Sequence, residues 1–396
     1  ILLFSISGSL HAADEGQLRF GFDLGFAPVD LEAEKTAQEI ANTAGSTVSV
    51  AYDTGSFVGR LFAEYGLSRN LDLEFGVFST SDATATYTLS GASASESYNA
   101  DGVDFSINFK DGDPKPKGTP DELVKSAQEM YHELSPETGE FFDTMVNEEL
   151  MDLVNRDGKR PGGFCTSFPK YDRPYIFSNF NGTDHDITVL THEAGHAFQN
   201  YSSTHLPLVN YHWPTMEAAE IHSMSMEFFT WPWMKKFFKE DTEKFKYKHI
   251  SGSLSFLPYG ACVDHFQHWV YENPEASPKE RKDKWLELES IYMPYRSYDE
   301  MVFIKDGGVW QGQLHIYQMP FYYIDYTLAQ TCAFQFWIKN DKDNESAWKD
   351  YLTLCRAGGS LSFVNLVKLA KLNSPFEDGC LEDVVKYVEK WLEDLG

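Results

Sequence analysis

The segment that decides both the fold and the chemistry is DITVLTHEAGHAFQNYSS, residues 186–203. Its apolar residues recur with the period of an α-helix, and it contains the pentapeptide HEAGH at residues 192–196. His192 and His196 are four residues apart, so a helix brings both imidazoles to one face, where they can bind the same metal ion. Zinc is the metal that this spacing favours, and Glu193 is then placed to take a proton from a water that the metal activates.

A third zinc ligand is expected further along the chain. The segment PTMEAAEIHSMSMEFFTW, residues 214–231, predicts a second helix on which Glu220 and Glu227 share one face, flanked by apolar side chains. A buried carboxylate needs a partner, and Glu220 as a zinc ligand with Glu227 as an acceptor from a ligand imidazole form a consistent set. Solvated glutamates on a surface helix are the alternative, and because Glu217 also lies near this face, the pattern alone leaves the choice between Glu217 and Glu220 open.

A third motif, QLHIYQMPFYYIDYTLAQ at residues 313–330, contains an imidazole and several phenols. On one continuous helix, His315, Tyr322 and Tyr326 would project within about 40° of one another, whereas Tyr323 would point elsewhere. A proline inside the segment favours a break that would leave His315 before the helix. Side chains of this kind can donate hydrogen bonds to the oxyanion of a tetrahedral intermediate. Core aromatics with satisfied hydroxyl groups are the alternative for the tyrosines.

Two short segments between the connector and the first motif predict a β-hairpin. GGFCTSF at residues 162–168 and YIFSNF at residues 175–180 alternate between apolar and polar or small residues. An edge strand at this position can bind an extended peptide by main-chain hydrogen bonds, with Gly162, Gly163 and Phe164 as the predicted contacts.

The first hundred residues have a different pattern of apolar and polar residues. Residues 1–13 form a short apolar run that ends in small residues and resembles the end of a secretory signal peptide, with an ordinary first strand as the alternative. Residues 14–103 alternate with a period of two, which predicts about five antiparallel strands with one apolar face, and a polar loop at residues 91–97. This stretch resembles the start of a porin-like outer-membrane β-barrel, and a soluble sandwich is the alternative.

A connector rich in glycine and proline, KDGDPKPKGTP at residues 110–120, marks the change from a strand pattern to a helical one. The sequence therefore predicts three parts: residues 1–13, residues 14–103 and residues 104–396. The last part is expected to be mainly α, with the small hairpin.

Composition excludes several classes of protein. Of 396 residues, 42% are apolar and 15% are aromatic, which is enough for a large core and excludes wholesale disorder. With 33 basic and 60 acidic residues the net charge is −27, which argues against nucleic acid and anionic membrane surfaces as partners. The sequence contains no run of about 18 apolar residues, so it predicts no membrane-spanning helix. The five cysteines form no CxxC pair, a pattern typical of reduced thiols in a cytosolic domain.

The three motifs, in this order, closely resemble the oligoendopeptidase F branch of the thimet oligopeptidase family of zinc metallopeptidases. The resemblance covers roughly residues 104–396 and extends to FKDGDPKPKGTP, PYIFSNFNGT, CRAGGSLSF and SPFEDGC. It implies one zinc ion per chain, Glu220 as its third ligand, and short oligopeptides as substrates. It also implies that His315 and one tyrosine of the third motif stabilise the oxyanion.

The chain departs from that family before the connector, where the relatives are expected to have a long helical region that forms one wall of a substrate channel. The strand-patterned segment in its place suggests a fused or artificially joined chain. The peptidase part implies a cytoplasmic protein, whereas residues 1–103 suggest export to the outer membrane and are the only part expected to associate with a membrane. Nothing in the sequence predicts the oligomeric state.

Two functions follow from these patterns. The first is a zinc-dependent metalloendopeptidase that hydrolyses short oligopeptides, with Glu193 as the general base. The alternative is an envelope β-barrel-type protein whose peptidase-like part is inactive and only binds peptides.

Overall fold

The computed structural model describes residues 18–26, 57–68, 71–79, 83–89, 92–99, 102–109, 112–296, 298 and 303–395, with side chains for residues 109, 112–296, 298 and 303–392. The chain divides into two compact units, residues 1–84 and residues 85–396. The predicted signal-peptide remnant at residues 1–13 lies outside the described residues.

Within the described residues, six strands precede the helical part. Strands β1 (Leu18–Phe26), β2 (Phe57–Ser68) and β3 (Leu71–Ser79) form an antiparallel sheet in the order β1–β2–β3. Strands β4 (Ala83–Leu89), β5 (Ala92–Asn99) and β6 (Gly102–Asn108) form a second three-stranded sheet. Strand β5 occupies most of residues 91–97, which the sequence pattern assigns to a loop because its alternating alanines and serines lack the large side chains of a recognisable strand.

The rest of the described chain is mainly helical, which confirms the expected fold class of this part. Its helices are α1 (Pro120–Leu134), α2 (Pro136–Asn147), α3 (His185–Ser203), α4 (Met216–Phe229), α5 (Lys235–Phe238), α6 (Thr242–Glu272), α7 (Pro278–Tyr292), α8 (His315–Gln318), α9 (Tyr323–Lys342), α10 (Asn344–Ala357), α11 (Phe363–Leu369) and α12 (Cys380–Leu395). Within the described ranges, no helix combines the length and the apolar character needed to cross a bilayer.

Local sequence signals set the start of several helices. Helix α1 opens with a capping box in which the backbone N–H of Thr119 donates to Glu122 Oε2 at 2.8 Å and the N–H of Glu122 donates back to Thr119 Oγ1. Ser277 and Glu280 make the same reciprocal pair at the start of α7. In both helices a proline occupies the first turn, where its missing N–H costs no hydrogen bond.

Helix α4 is the centre of the core and packs against α3 on one side and α9 on the other. Residues 218–226 of this helix are all buried, and a helix buried all round must lie inside the fold. It begins at Met216, two residues later than the pattern predicts, because Thr215 keeps an extended backbone. The large aromatic core around these helices includes Phe198, Phe228 and Phe334.

A small mixed sheet lies against α3. Strands β8 (Phe164–Phe168) and β9 (Arg173–Phe180) pair in antiparallel register, which confirms the predicted hairpin. A third strand, β7 (Met151–Val154), was not predicted from the sequence; it pairs with β9 in parallel and makes the sheet order β7–β9–β8. Strand β8 is therefore an edge strand on the side of the sheet that faces away from β7. All five cysteines are free thiols.

Candidate active site

Helices α3 and α4 bring three potential metal ligands together. His192 and His196 lie on α3, and the Nε2 atom of each is 3.3 Å from Oε2 of Glu220 on α4. The two imidazole rings are 5.0 Å apart and nearly perpendicular. Across the part of the chain that the structure describes, this is the one group of three histidine, cysteine or acidic side chains whose ligand atoms converge closely enough to hold a metal ion.

The spacing of these atoms fits zinc. A tetrahedral zinc ion with ligands at 2.0–2.1 Å separates neighbouring ligand atoms by about 3.3 Å. The observed 3.3 Å between each imidazole nitrogen and the carboxylate is longer than an ordinary hydrogen bond, so the three atoms surround a common point instead of bonding to each other. Two imidazoles and one carboxylate also form the donor set of a zinc site that leaves a position open.

Glu227 holds the first histidine from the side opposite the metal position. Its Oε1 lies 2.7 Å from His192 Nδ1, so Nδ1–H donates and the lone pair of Nε2 is left for the metal. Its Oε2 lies 2.6 Å from Nε2 of His249 on α6. Burial would raise the pKa of Glu227, but the hydrogen bonds from His192 and His249 outweigh burial and lower this pKa to about 2.

Glu193 points into the same region. The residue is 6% exposed, and within the described residues no hydrogen-bond partner reaches its Oε2 atom. Burial raises the pKa of this carboxyl group, although the neighbouring His192 and His196 oppose the shift. A buried and unpaired carboxylate oxygen costs free energy, which is typical of a group that is used in chemistry.

The predicted peptide-binding residues lie at the edge strand beside Glu193. A Cβ atom at Gly163 would lie 3.3 Å from Glu193 Oε1 and 2.8 Å from a methyl group of Val189, so only glycine leaves this space free. Gly162 has φ of +95°, and its carbonyl oxygen accepts a hydrogen bond from Asn179 at 2.8 Å. Phe164 is 40% exposed and stacks on Phe177 of β9.

The third motif contains the break that its proline predicts. Helix α8 ends at Gln318 and α9 begins only at Tyr323, so His315 lies before the long helix and not on one continuous helix with Tyr326. Phe321 between them has φ of +66°, which breaks the helix. Its backbone N–H donates to Gln267 Oε1 at 2.9 Å, so α6 holds this bend.

The bend nevertheless brings the predicted imidazole and phenols together. The ring of His315 lies 6.0 Å from that of Tyr322 and 5.8 Å from that of Tyr326, and the two tyrosine rings are 4.9 Å apart. The hydroxyl of Tyr322 donates to Glu220 Oε1 at 2.5 Å. The expectation for one continuous helix, that Tyr323 points elsewhere, was wrong, because its ring lies 5.1 Å from that of His315.

Gln313, two residues before His315, fixes the proton on that imidazole. The Gln313 amide Nε2 donates to His315 Nδ1 at 2.7 Å, and the Tyr259 hydroxyl donates to Gln313 Oε1 at 2.9 Å. Since Nδ1 is an acceptor, the neutral imidazole carries its proton on Nε2. Burial lowers the pKa of His315, which favours this neutral form.

Sequence reasoning missed two residues of this arrangement, His249 and Gln313. His249 lies in α6, more than 20 residues after Glu227, in a segment with no paired histidine spacing. Gln313 was part of the third motif, but an amide two residues before a histidine carries no signal of its own. Other histidines, among them His222, join no metal-binding group within the described ranges, and the buried His222 donates from Nδ1 to the carbonyl oxygen of Ala218.

Comparisons with known proteins agree with this arrangement. Residues 103–385 match the model of Peptidase family M3. An oligoendopeptidase F homolog of Borreliella burgdorferi is 25% identical over 270 residues, which make up 65% of this chain and 42% of that protein. The comparisons do not support the resemblance of residues 1–103 to a porin-like outer-membrane protein.

Solved structures extend the similarity to three dimensions. A structure of Pz peptidase A with an inhibitor is 59% identical, with a TM-score of 0.70 over 72% of this chain and 51% of that chain. A Bacillus anthracis protein assigned as an oligoendopeptidase F is 52% identical, with a TM-score of 0.65 over 72% of this chain and 48% of the other.

The chain thus spans about half the length of the relatives whose structures it matches. Residues 103–385, which match the family model, contain the metal-ligand group, the mixed sheet and the bend before α9. The family model covers most of the chain, and the resemblance seen in the three motifs is thereby confirmed. The chain belongs to Peptidase family M3.

Proposed function

We propose that the protein is a zinc-dependent endopeptidase that hydrolyses peptide bonds in short oligopeptides, with one zinc ion per chain. The observation that carries this proposal is the convergence of His192, His196 and Glu220 beside the buried, unpaired carboxylate of Glu193. A site that only bound peptides would gain nothing from such a carboxylate, so an inactive peptide-binding fragment is the weaker alternative. The oligoendopeptidase F names of the relatives support short peptides as the substrate class.

His192, His196 and Glu220 would hold the metal, with Glu227 fixing the tautomer of His192. Bound zinc would supply a Lewis acid for the scissile carbonyl and would lower the pKa of the attacking water. The raised pKa of Glu193 supports its assignment as general base and acid, because a carboxyl group transfers protons best when its pKa is near the working pH. Glu193 takes a proton from the water as the carbon–oxygen bond forms, and gives it to the amine as the carbon–nitrogen bond breaks.

Two donors are available for the negative charge that builds on the carbonyl oxygen. We assign this role to His315 and Tyr326. His315 is a suitable donor because Gln313 leaves the proton on its Nε2. The hydroxyl of Tyr322 is committed to Glu220, so we assign Tyr322 to holding this ligand.

The edge strand β8 supports the binding of an extended peptide. Its unpaired main-chain groups can bond to a substrate strand, and its outer residues, among them Phe164 and Phe168, are exposed. Gly163 leaves room for the substrate backbone to pass close to Glu193. In this arrangement, Gly162, Gly163 and Phe164 would contact the residues of the peptide next to the cleaved bond.

The experiment uses the full chain. Its zinc content is measured together with hydrolysis of a quenched fluorescent short peptide, before and after treatment with a chelator. We expect one zinc per chain and cleavage that the chelator abolishes and added zinc restores. In Glu193→Gln the zinc should remain, whereas turnover should fall by about 100-fold or more. A zinc-loaded protein that cleaves no short peptide, or a Glu193→Gln variant with unchanged turnover, would refute the proposal as stated.

A further inference from the structure

His249 is a buried histidine that the mechanism above does not use. It lies on α6, and its side chain is 6% exposed. Three aromatic residues enclose its ring: Phe228 at 4.9 Å, Trp231 at 5.6 Å and Phe245 at 5.7 Å between ring centroids. A polar ring in such surroundings is costly unless its hydrogen bonds compensate for the lost water.

Among the described residues, the ring of His249 makes one hydrogen bond, to Glu227. The two oxygens of that carboxylate are divided between two imidazoles, with Oε1 at 2.7 Å from His192 Nδ1 and Oε2 at 2.6 Å from His249 Nε2. Each imidazole donates, because an ionised carboxylate only accepts. The chain of contacts thus runs from His249 through Glu227 to His192, and ends at the nitrogen that faces the metal position.

The other nitrogen of His249 takes no part in a hydrogen bond with any described residue. Its Nδ1 is buried, and among the described residues it has no hydrogen-bond partner. The bond from Nε2 to Glu227 is therefore the one hydrogen bond among these residues that orients the ring.

The position of α6 relative to α3 is fixed by the neighbouring residue. Lys248 Nζ lies 3.0 Å from Asp184 Oδ1, immediately before α3, and 3.1 Å from Asp113 Oδ2 in the connector. Only about an eighth of the Lys248 side chain is exposed, so these ion pairs are shielded from water. Successive residues of α6 thus contact the start of the metal-binding helix and the carboxylate that holds its first histidine.

We propose that His249 is a positioning residue for the metal ligand His192, acting through Glu227. By occupying Oε2 it fixes the plane of the Glu227 carboxylate, so that Oε1 remains aimed at His192 Nδ1 and the ring of His192 keeps its orientation toward the metal. This inference rests on the proposed function in that zinc is taken as the metal. Mutating a hydrogen-bond partner of a metal ligand commonly weakens metal affinity by about 10- to 100-fold.

The test measures zinc affinity in the full chain by competition with a chromophoric chelator, alongside the thermal midpoint of the metal-free protein. His249→Phe fits the aromatic surroundings and removes the hydrogen bond, and His249→Gln keeps an N–H donor. Phe245→Leu is the matched control, because it loosens the packing around the same ring and leaves the bond to Glu227 in place.

We expect His249→Phe to bind zinc about 10- to 100-fold more weakly, with substantial recovery in His249→Gln and near wild-type affinity in Phe245→Leu. Wild-type zinc affinity in a folded His249→Phe would overturn the inference and leave the proposed function intact. If His249→Phe does not fold, the smaller His249→Leu replaces it, and equal zinc affinities in His249→Leu and His249→Gln would overturn the inference. A wild-type protein that binds no zinc would overturn the proposed function and, with it, any role of His249 toward this metal.

Discussion

A Cβ atom on Gly195 would lie 2.7 Å from the backbone carbonyl oxygen of His222. It would also lie 2.7 Å from the Cα of Ser223, so the obstacle is the main chain of α4 and not a side chain that can turn away. Helices α3 and α4 therefore cross at a distance that only glycine permits. This close crossing brings Glu220 within reach of the two histidines of HEAGH.

Substituting this glycine should separate the two halves of the metal site. We expect Gly195→Ala to destabilise the metal-free protein by about 1–3 kcal/mol, because the helices must move apart to admit the methyl group. Zinc affinity should fall as well, since Glu220 moves with α4. Urea unfolding and zinc competition measure the two effects.

The control for this change is Gly139→Ala, a glycine in another helix. An added Cβ there meets chiefly the side chain of His132, which is half exposed and can move. Its effect on unfolding should be smaller, and zinc affinity should not change. Equal unfolding free energies for the two variants would contradict the role of the close crossing.

The choice of third ligand between two glutamates on α4 gives a second prediction. Glu220 is buried at the convergence point, whereas Glu217 accepts a hydrogen bond from Thr215 at 2.9 Å and belongs to no metal-binding group among the described side chains. Glu220→Gln should therefore lose most of its zinc, because a neutral amide is a much weaker zinc ligand than a carboxylate. Glu217→Gln should keep one zinc per chain. Metal analysis after gel filtration distinguishes the two, and the reverse order of zinc contents would show that the ligand was assigned to the wrong glutamate.

Sequence could predict the parts of this site that depend on spacing within one helix. His192, Glu193 and His196 follow from a four-residue interval, and Glu220 with Glu227 from a seven-residue interval among apolar neighbours. Each of these intervals maps directly to one helical face. The resemblance to a known family then selected Glu220 over Glu217.

The remaining features depend on contacts between segments that the sequence does not relate. His249 bonds to Glu227 only because α6 packs beside α4, and no local sequence pattern predicts this contact. The bend at Phe321 depends on Gln267, which lies 54 residues earlier and accepts the N–H that the bend frees. The proline in the third motif predicts the break but not the direction of the bend, so helical periodicity misplaced Tyr323.

A third prediction concerns stability and pH at the mixed sheet. Both oxygens of Asp152 on β7 accept hydrogen bonds from Arg156 at 2.7 Å, and the buried Lys159 contacts the same carboxylate at 3.0 Å. Hydrogen bonding from Arg156, followed by the contact with Lys159, lowers the pKa of Asp152 to about 2. A carboxyl group with a lowered pKa stabilises the fold above its ordinary pKa, and this contribution disappears as the pH falls toward 2.

Asp152→Asn should therefore lower the free energy of unfolding at pH 7 by about 1 kcal/mol, a value reduced for the partial exposure of the group. The difference from wild type should narrow as the pH falls from 4 toward 2. Urea unfolding at a series of pH values measures it, with the exposed Asp157→Asn as the control. A difference that stays constant with pH would mean that the ionised form of Asp152 contributes no stability.

The last prediction concerns the proton on His315. Gln313 is 1% exposed and donates to Nδ1, which keeps the proton on Nε2, where the proposed oxyanion donor needs it. Gln313→Leu removes this constraint, so kcat should fall about tenfold at unchanged zinc content, less than the 100- to 1,000-fold expected from losing a donor outright. The same substitution at the exposed Gln311 should leave kcat unchanged.

Gln313→Glu gives a sharper result, because a carboxylate accepts from Nδ1–H and raises the pKa of the imidazole. His315 would then donate through Nε2 only while it is charged, and its neutral form would carry the proton on Nδ1. The kcat of Gln313→Glu should therefore decline as the pH rises past this pKa, whereas wild type and Gln313→Leu should show no such decline. A pH profile of Gln313→Glu that matches wild type would mean that Gln313 does not set the tautomer of His315.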